Sequence, residues 1–492
     1  MTTLGERVAD ALRRHTGPAI EFGDAWTSWS EISTFADQLD ALTVAGGADA
    51  TVAFVPRNRP SSLAALLALL RQGRTIRMSY AFQSPAGIVR DVLRGASAFA
   101  VLDSMDVTEE VTAPLRAAGI GLIAIDTLAA PVLVLPAALG AATGPAPDEA
   151  EIEILTSGTT GPPKPFAATH AMIADHIVGR SALAAVAPAA VSALPPALLF
   201  FPIGNISGIY STLPPLLHGQ RVVLLERFSV QAWRDYVVTY RPPQAGMPAA
   251  CVRMVLDADI PKEDLASLKG LGTGAAPLDP AVHHAFEDKY GIPILLSYGA
   301  TEFGGPVAAM TPALHGRWGR EKFGSVGQAI GGARLRVVEP GTGAPLPPGA
   351  EGLLQVVSPR MGPDWITTSD LAVIDADGFL FHRGRADGAI MRGGFKLLPE
   401  TIEQALRLHP AIADAAVAAL PDRRLGEVPG ALVQVRTGYE APGGASLATH
   451  LRGHLPATHI PVFWGFCADL PRTASHKTDR VAVKRLLQGI AG

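Results

Sequence analysis

The chain has 492 residues, a formal net charge of −4 and 48% hydrophobic residues. A balance this close to neutral excludes a generally basic nucleic-acid binder, and the length suits roughly two to four domains with material for a large core. Only 8 of the 41 basic residues are lysine, so a lysine that persists against the arginine bias draws attention.

In chain order, Met1–Arg7 lacks the basic start and apolar stretch of a signal peptide, which predicts a cytoplasmic protein. Ser62–Arg71 reads as a buried helix, and Ala98–Leu102, Gly121–Ile125 and Ile152–Leu155 read as strands. Ser181–Leu217 carries no charge, yet Pro188, Pro195, Pro196, Pro202, Pro214 and Pro215 interrupt it. That spacing predicts buried strands and loops, not a membrane span. Arg221–Leu225 and Ile292–Leu296 continue the strand pattern. Cys251 and Cys467 are too few for a disulfide framework, so a reducing compartment is expected. Near residue 385 the pattern changes to a helix Pro399–Leu406, strands Asp414–Leu420 and Ala431–Val435, and a helix Leu447–Leu455. The expected class is α/β: a large multi-layer body over 1–385 and a small α+β domain over 386–492.

Four clusters carry chemistry. The strand Ile152–Leu155 runs into Thr156, Ser157, Gly158, Thr159 and Thr160, and the segment closes on Lys164. Small residues let backbone N–H groups converge on one anion, hydroxyls add donors, and Lys164 adds a mobile cation. The spacing is not that of a P-loop, and a plain flexible turn is the alternative. The second cluster is Tyr298, Gly299, Ala300, Thr301, Glu302 and Phe303. Tyr298 offers a flat face to a base, Thr301 a hydroxyl, and Glu302 a hard oxygen ligand suited to Mg²⁺, unless this is simply a strand end. The third pairs Asp370, a double acceptor for a ribose diol, with Arg385, whose fork matches ribose or phosphate oxygens; a surface ion pair is the alternative. The last is Pro471–Lys477, where Lys477 is either a working cation or a solvated loop lysine.

Together these segments resemble the adenylate-forming superfamily of acyl- and aryl-CoA synthetases, peptide-synthetase adenylation domains and luciferases. The order T-S-G-T-T-G-x-P-K at 156–164, Y-G-x-T-E at 298–302, the Asp370 and Arg385 motifs, and P-x-T-x-x-x-K ending at Lys477 matches that family. The resemblance implies ATP-dependent activation of a carboxylic acid through an acyl-adenylate. It makes Thr156–Thr160 and Lys164 a phosphate loop, and Gly274 and Ala275 part of the adenine-side loop. Tyr298 would stack on adenine, Thr301 would contact the α-phosphate, and Glu302 would bind Mg²⁺. Asp370 and Arg385 would hold the ribose, and Lys477 would bridge the carboxylate and α-phosphate. Asp387 falls at the family's hinge, and Gly393 and Gly394 where a pantetheine arm passes.

Two positions depart from the family pattern. Asn205 stands where CoA synthetases commonly have histidine, and His476 replaces the usual glycine before the lysine. The expected acid-pocket wall comprises Phe201, Asn205, Gly272, Gly299, Ala300 and Phe303, which suits an apolar or aromatic carboxylate. CoA is the expected acceptor. An amine, a carrier-protein pantetheine, or an ATP-binding protein without turnover are the alternatives.

Overall fold

The structure is a computed structural model that describes residues 2–43, 51–81, 83–137, 149–156, 164–386, 388–392, 395–422, 425–473 and 477–491. Its first layer is a seven-stranded sheet in the order Val132–Leu135, Gly121–Ile125, Phe99–Asp103, Val52–Val55, Ile76–Met78, Glu151–Thr156, Lys164–Thr169. The five inner strands are parallel and the two outer ones antiparallel to their neighbours. Such a sheet must be covered on both faces. The apolar run at Ser62 accordingly becomes the helix Pro60–Arg71, whose residues from Ser61 to Leu70 are all buried.

A second sheet joins Gln244–Gly246, Gly270–Gly274 and Ile294–Ala300 in parallel, then adds Gly305–Ala309 and Gln328–Ala329 antiparallel. A smaller sheet combines Ala197–Leu199, Val222–Leu224, Pro18–Phe22 and Ala25–Ser28. An antiparallel sheet follows, from Arg334–Val338 through Glu351–Val357 and Ile366–Ile374 to Leu380–Arg385. Beyond it, Ile390–Arg392, Phe395–Leu397, Ile412–Asp422, Gly426–Val435 and Phe463–Cys467 form a separate sheet, on which the helix Pro399–Arg407 packs through its own buried cluster. Arg407 and Arg436 of this last unit reach Asp279 and Asp257 of the body at 4.0 and 3.7 Å.

One expectation is corrected. The charge-free stretch is not only strands and loops, because Ile206–Leu217 is a helix despite Pro214 and Pro215. Asn205 caps its start, its side-chain oxygen accepting from Gly208 N at 2.7 Å. The prolines fall in the last turn, so they remove only the bonds to Tyr210 and Ser211 while the earlier turns stay intact. No helix among the described residues is long and apolar enough to cross a membrane.

Candidate active site

The parallel strands Gly270–Gly274 and Ile294–Ala300 end side by side, with Gly274 registered against Ser297. Ligand sites in α/β sheets favour such carboxyl ends, where chains turn away and leave a crevice. Here a cavity of about 430 Å³ opens between those ends and the helix Ile206–Leu217. Gly272, Gly274, Ala275, Gly299, Ala300 and Thr301 line it from the sheet side, Phe200 and Phe201 from the loop after the small sheet. Ile206, Ser207, Tyr210 and Ser211 line it from the helix. Those four share one face because residues three and four apart coincide on a helix. Ala275, with φ of +63°, is a non-glycine residue held left-handed at the rim, a conformation that costs strain and concentrates at functional sites. Gly299 is small for a packing reason, since a Cβ there would lie 2.5 Å from Pro306 Cα on the adjoining strand.

Lys477, from the last segment of the chain, lines this same cavity together with Thr301. Its backbone is held by a hydrogen bond from Thr473 N to Lys477 O of 2.8 Å and by a bridge pairing Arg472 with Thr478. The residue keeps solvent access, yet protein crowds the ammonium closely enough for burial to lower its pKa. Arg385 adds to the lowering, while Glu302 and Asp370 oppose it.

Asp370 and Arg385 are opposite each other on paired strands. Arg385 Nε stands 4.0 Å from Asp370 Oδ1, and its guanidinium donates to Ser369 Oγ. The Tyr298 hydroxyl donates to Asp370 Oδ2, and His382 Nε2 lies 3.4 Å from Oδ1. Burial pushes the Asp370 carboxyl up. The His382 and Tyr298 hydrogen bonds, with the charges of His382 and Arg385, outweigh it and hold the group below the usual carboxylate range. The Tyr298 hydroxyl is driven well above its ordinary value by burial and by Asp370. Glu302 projects into solvent and makes no hydrogen bond or ion pair with the described residues, which leaves a free hard carboxylate of the kind Mg²⁺ takes.

Two expected wall residues are placed elsewhere. Phe303 is 1% exposed in a core cluster with Val307, Leu354 and Val356, because the 3₁₀ turn Thr301–Phe303 rotates its ring away from the cavity. Asn205 spends its side chain on the helix cap and does not line the cavity. Thr156 and Lys164 are paired in register on neighbouring antiparallel strands. Ser157, Gly158, Thr159 and Thr160, together with Asp387, Gly393, Gly394 and His476, lie outside the described residues. Tyr210, Ser207 and Ser211 were not expected from the sequence, although their helical spacing carried the signal. His382 and Arg360 reach the site only through strand pairing and a distant loop.

The AMP-binding enzyme profile matches residues 8–363, and the AMP-binding enzyme C-terminal domain matches residues 401–477. The chain belongs to the AMP-binding enzyme family. It is an AMP-forming ligase of the adenylate-forming superfamily, with the α/β body and smaller C-terminal unit of that fold. It is 30% identical over 425 residues to the sulfoacetate–CoA ligase of Cupriavidus necator, covering 82% of this chain and 77% of that one. It is 30% identical over 356 residues to the fatty acid–[acyl-carrier-protein] ligase ScoC of Streptomyces coeruleorubidus, covering 68% and 67%. ATP-bound MatB from Rhodopseudomonas palustris shares the fold, with a TM-score of 0.80 over 100% of both chains at 22% identity.

Proposed function

We propose that the protein is an acid:CoA ligase for an apolar or aromatic carboxylate. One observation carries this reading: Lys477 lines the same cavity as Thr301 and the Gly274–Ala275 loop, so a cation stands where carboxylate and α-phosphate would meet. In the first step a carboxylate oxygen attacks the α-phosphorus of ATP, and pyrophosphate leaves with the bonding electron pair. The acyl-adenylate remains. Negative charge gathers on the phosphorus oxygens during attack, and a preorganised ammonium offsets it. Mg²⁺ held by Glu302 would neutralise further phosphate charge. Asp370, accepting at both oxygens, holds the ribose diol, with Arg385 beside it, and Tyr298 packs against the adenine. Thr156, Ser157, Gly158, Thr159, Thr160 and Lys164 steady the phosphates.

In the second step a thiolate attacks the acyl carbon, forming the thioester and expelling AMP. Lys477 and an incoming thiol cannot both occupy one face of that carbonyl. A small domain over 386–492 that pivots at Asp387 would withdraw the lysine and present Gly393 and Gly394 to the pantetheine arm. The wall of Phe200, Phe201, Gly272, Gly299 and Ala300 supports an acid without a large polar tail.

The test is product identification with purified protein, Mg·ATP and a panel of aromatic and aliphatic acids, each with CoA, simple amines or a pantetheinylated carrier protein. A thioester formed with free CoA supports the reading. Amide formation, or loading of the carrier protein with no thioester on CoA, contradicts it.

A further inference from the structure

Thr301 and Gly305, which line the cavity, flank a turn that the buried Phe303 ring anchors at one point. Thr301, Glu302 and Phe303 form one 3₁₀ turn, and Gly304 and Gly305 follow with φ of +67° and +125°. Both glycines are required. A Cβ on Gly304 would lie 3.3 Å from Arg360 Cβ, and one on Gly305 would lie 3.0 Å from the Tyr210 ring. Two successive glycines carry no side chains that packing could fix, so beyond the Phe303 ring the path of the backbone through them is held by hydrogen bonds.

Arg360 supplies such bonds from the loop after Glu351–Val357. Its Nε donates to Phe303 O at 3.0 Å and its Nη2 donates to Pro306 O, so one planar group grips the backbone on both sides of the glycine pair. Ser358 Oγ donates to the same Phe303 oxygen at 2.7 Å. No carboxylate among the described residues pairs with Arg360, and burial lowers its pKa. A partly buried guanidinium without a counter-ion is costly, and spending it on two carbonyls suits a role in geometry.

We infer that Arg360 is a positioning residue: its fork between Phe303 O and Pro306 O sets the turn that presents Thr301 and Glu302 to the reacting groups. The link to catalysis rests on the adenylation reading, whereas the clamp itself does not. Lysine lacks the planar fork that aims two fixed N–H groups at separate carbonyls, and methionine fills similar space with no donors. A misplacement of about 1 Å in a positioning group costs on the order of 10²-fold in rate.

The experiment compares wild type with Arg360→Lys and Arg360→Met in the full chain by two measurements. The first is hydrogen exchange at the turn amides, including Gly304 N, which bonds Thr301 O at 2.9 Å. Amides of the core strand Phe99–Asp103 serve as the fold control. The second is acid-dependent pyrophosphate exchange, with kcat, KM and the Mg²⁺ concentration for half-maximal rate. Faster exchange by roughly tenfold at the turn alone, a kcat lower by about 10–100-fold in both variants, and a higher Mg²⁺ requirement are expected. Unchanged turn amides would overturn the clamp. A loosened turn with wild-type kcat and Mg²⁺ response would overturn the positioning role. Wild type without acid-dependent exchange would refute the adenylation reading instead, and the amides would still report on the clamp.

Discussion

Replacing Lys477 by alanine isolates the charge on which the proposed chemistry depends. Lys477 lines a cavity of about 430 Å³ together with Thr301, and its ammonium shares its field with Glu302, Asp370 and Arg385. Loss of one preorganised electrostatic donor typically costs about 10²–10³ in rate, or about 3–4 kcal/mol of transition-state stabilisation. The backbone here is fixed by the Thr473 N to Lys477 O bond and the Arg472–Thr478 bridge, neither of which uses the lysine side chain. The fold should therefore persist, and the loss should sit in kcat. Acid-dependent pyrophosphate exchange reads the first step, and thioester formation from a supplied acyl-adenylate reads the second, which should suffer less. Because burial lowers this pKa, the ammonium loses its proton at a lower pH than an exposed lysine, and the exchange rate should fall on that alkaline side. Lys477→Arg stays charged there, so its rate should be low but flat. Near wild-type exchange in Lys477→Ala, or an unchanged alkaline limb in Lys477→Arg, would refute the assignment.

Tyr298→Phe removes the hydroxyl that donates to the partly buried Asp370 carboxylate. Hydrogen bonds to charged groups contribute roughly 1.5–3 kcal/mol, so a stability loss of about 2 kcal/mol and an ATP KM raised about tenfold are expected from denaturant titration and exchange kinetics. A variant that matches wild type in both would remove Tyr298 from the Asp370 network. His170 is buried with its Nε2 unpartnered among the described residues, and burial lowers its pKa from 6.5 to about 4. The unfolded chain takes up that proton near pH 6.5 while the native state refuses it, so stability declines as pH falls through this window, by about 3 kcal/mol in all. In His170→Leu the decline in urea midpoint between pH 7 and pH 5 should be shallower; parallel declines would contradict the burial argument.

The motifs made part of the candidate site legible in the sequence: Gly274, Ala275, Thr301 and Lys477, far apart in the chain, line one cavity, and Tyr298, Asp370 and Arg385 meet beside one another. The acid cavity was less legible. Phe303 belongs to the same motif as Thr301, but a single 3₁₀ turn decides which of them faces the cavity, and the sequence does not record that rotation. Prolines at 214 and 215 predict strands and loops, whereas in the structure Asn205 caps a helix whose Ile206, Ser207, Tyr210 and Ser211 share one face. Burial of Ile206, Ile209, Leu213, Leu216 and Leu217 in the same core cluster as the first sheet favours the helix. His382 approaches Asp370 through strand pairing with a register shift between Leu371 and Ala372, and such an irregularity leaves no local signature. Arg360 is 57 residues from Phe303, and nothing near it in the sequence announces a clamp.

The proposed function stands on the joining of AMP to a carboxylic acid. The decisive measurement is incubation of the wild-type protein with ATP, Mg²⁺, labelled pyrophosphate and an apolar or aromatic acid. Label should enter ATP only when the acid is present, with AMP and not ADP accumulating once an acceptor is added. Exchange that ignores the acid, or ADP as the nucleotide product, would contradict it.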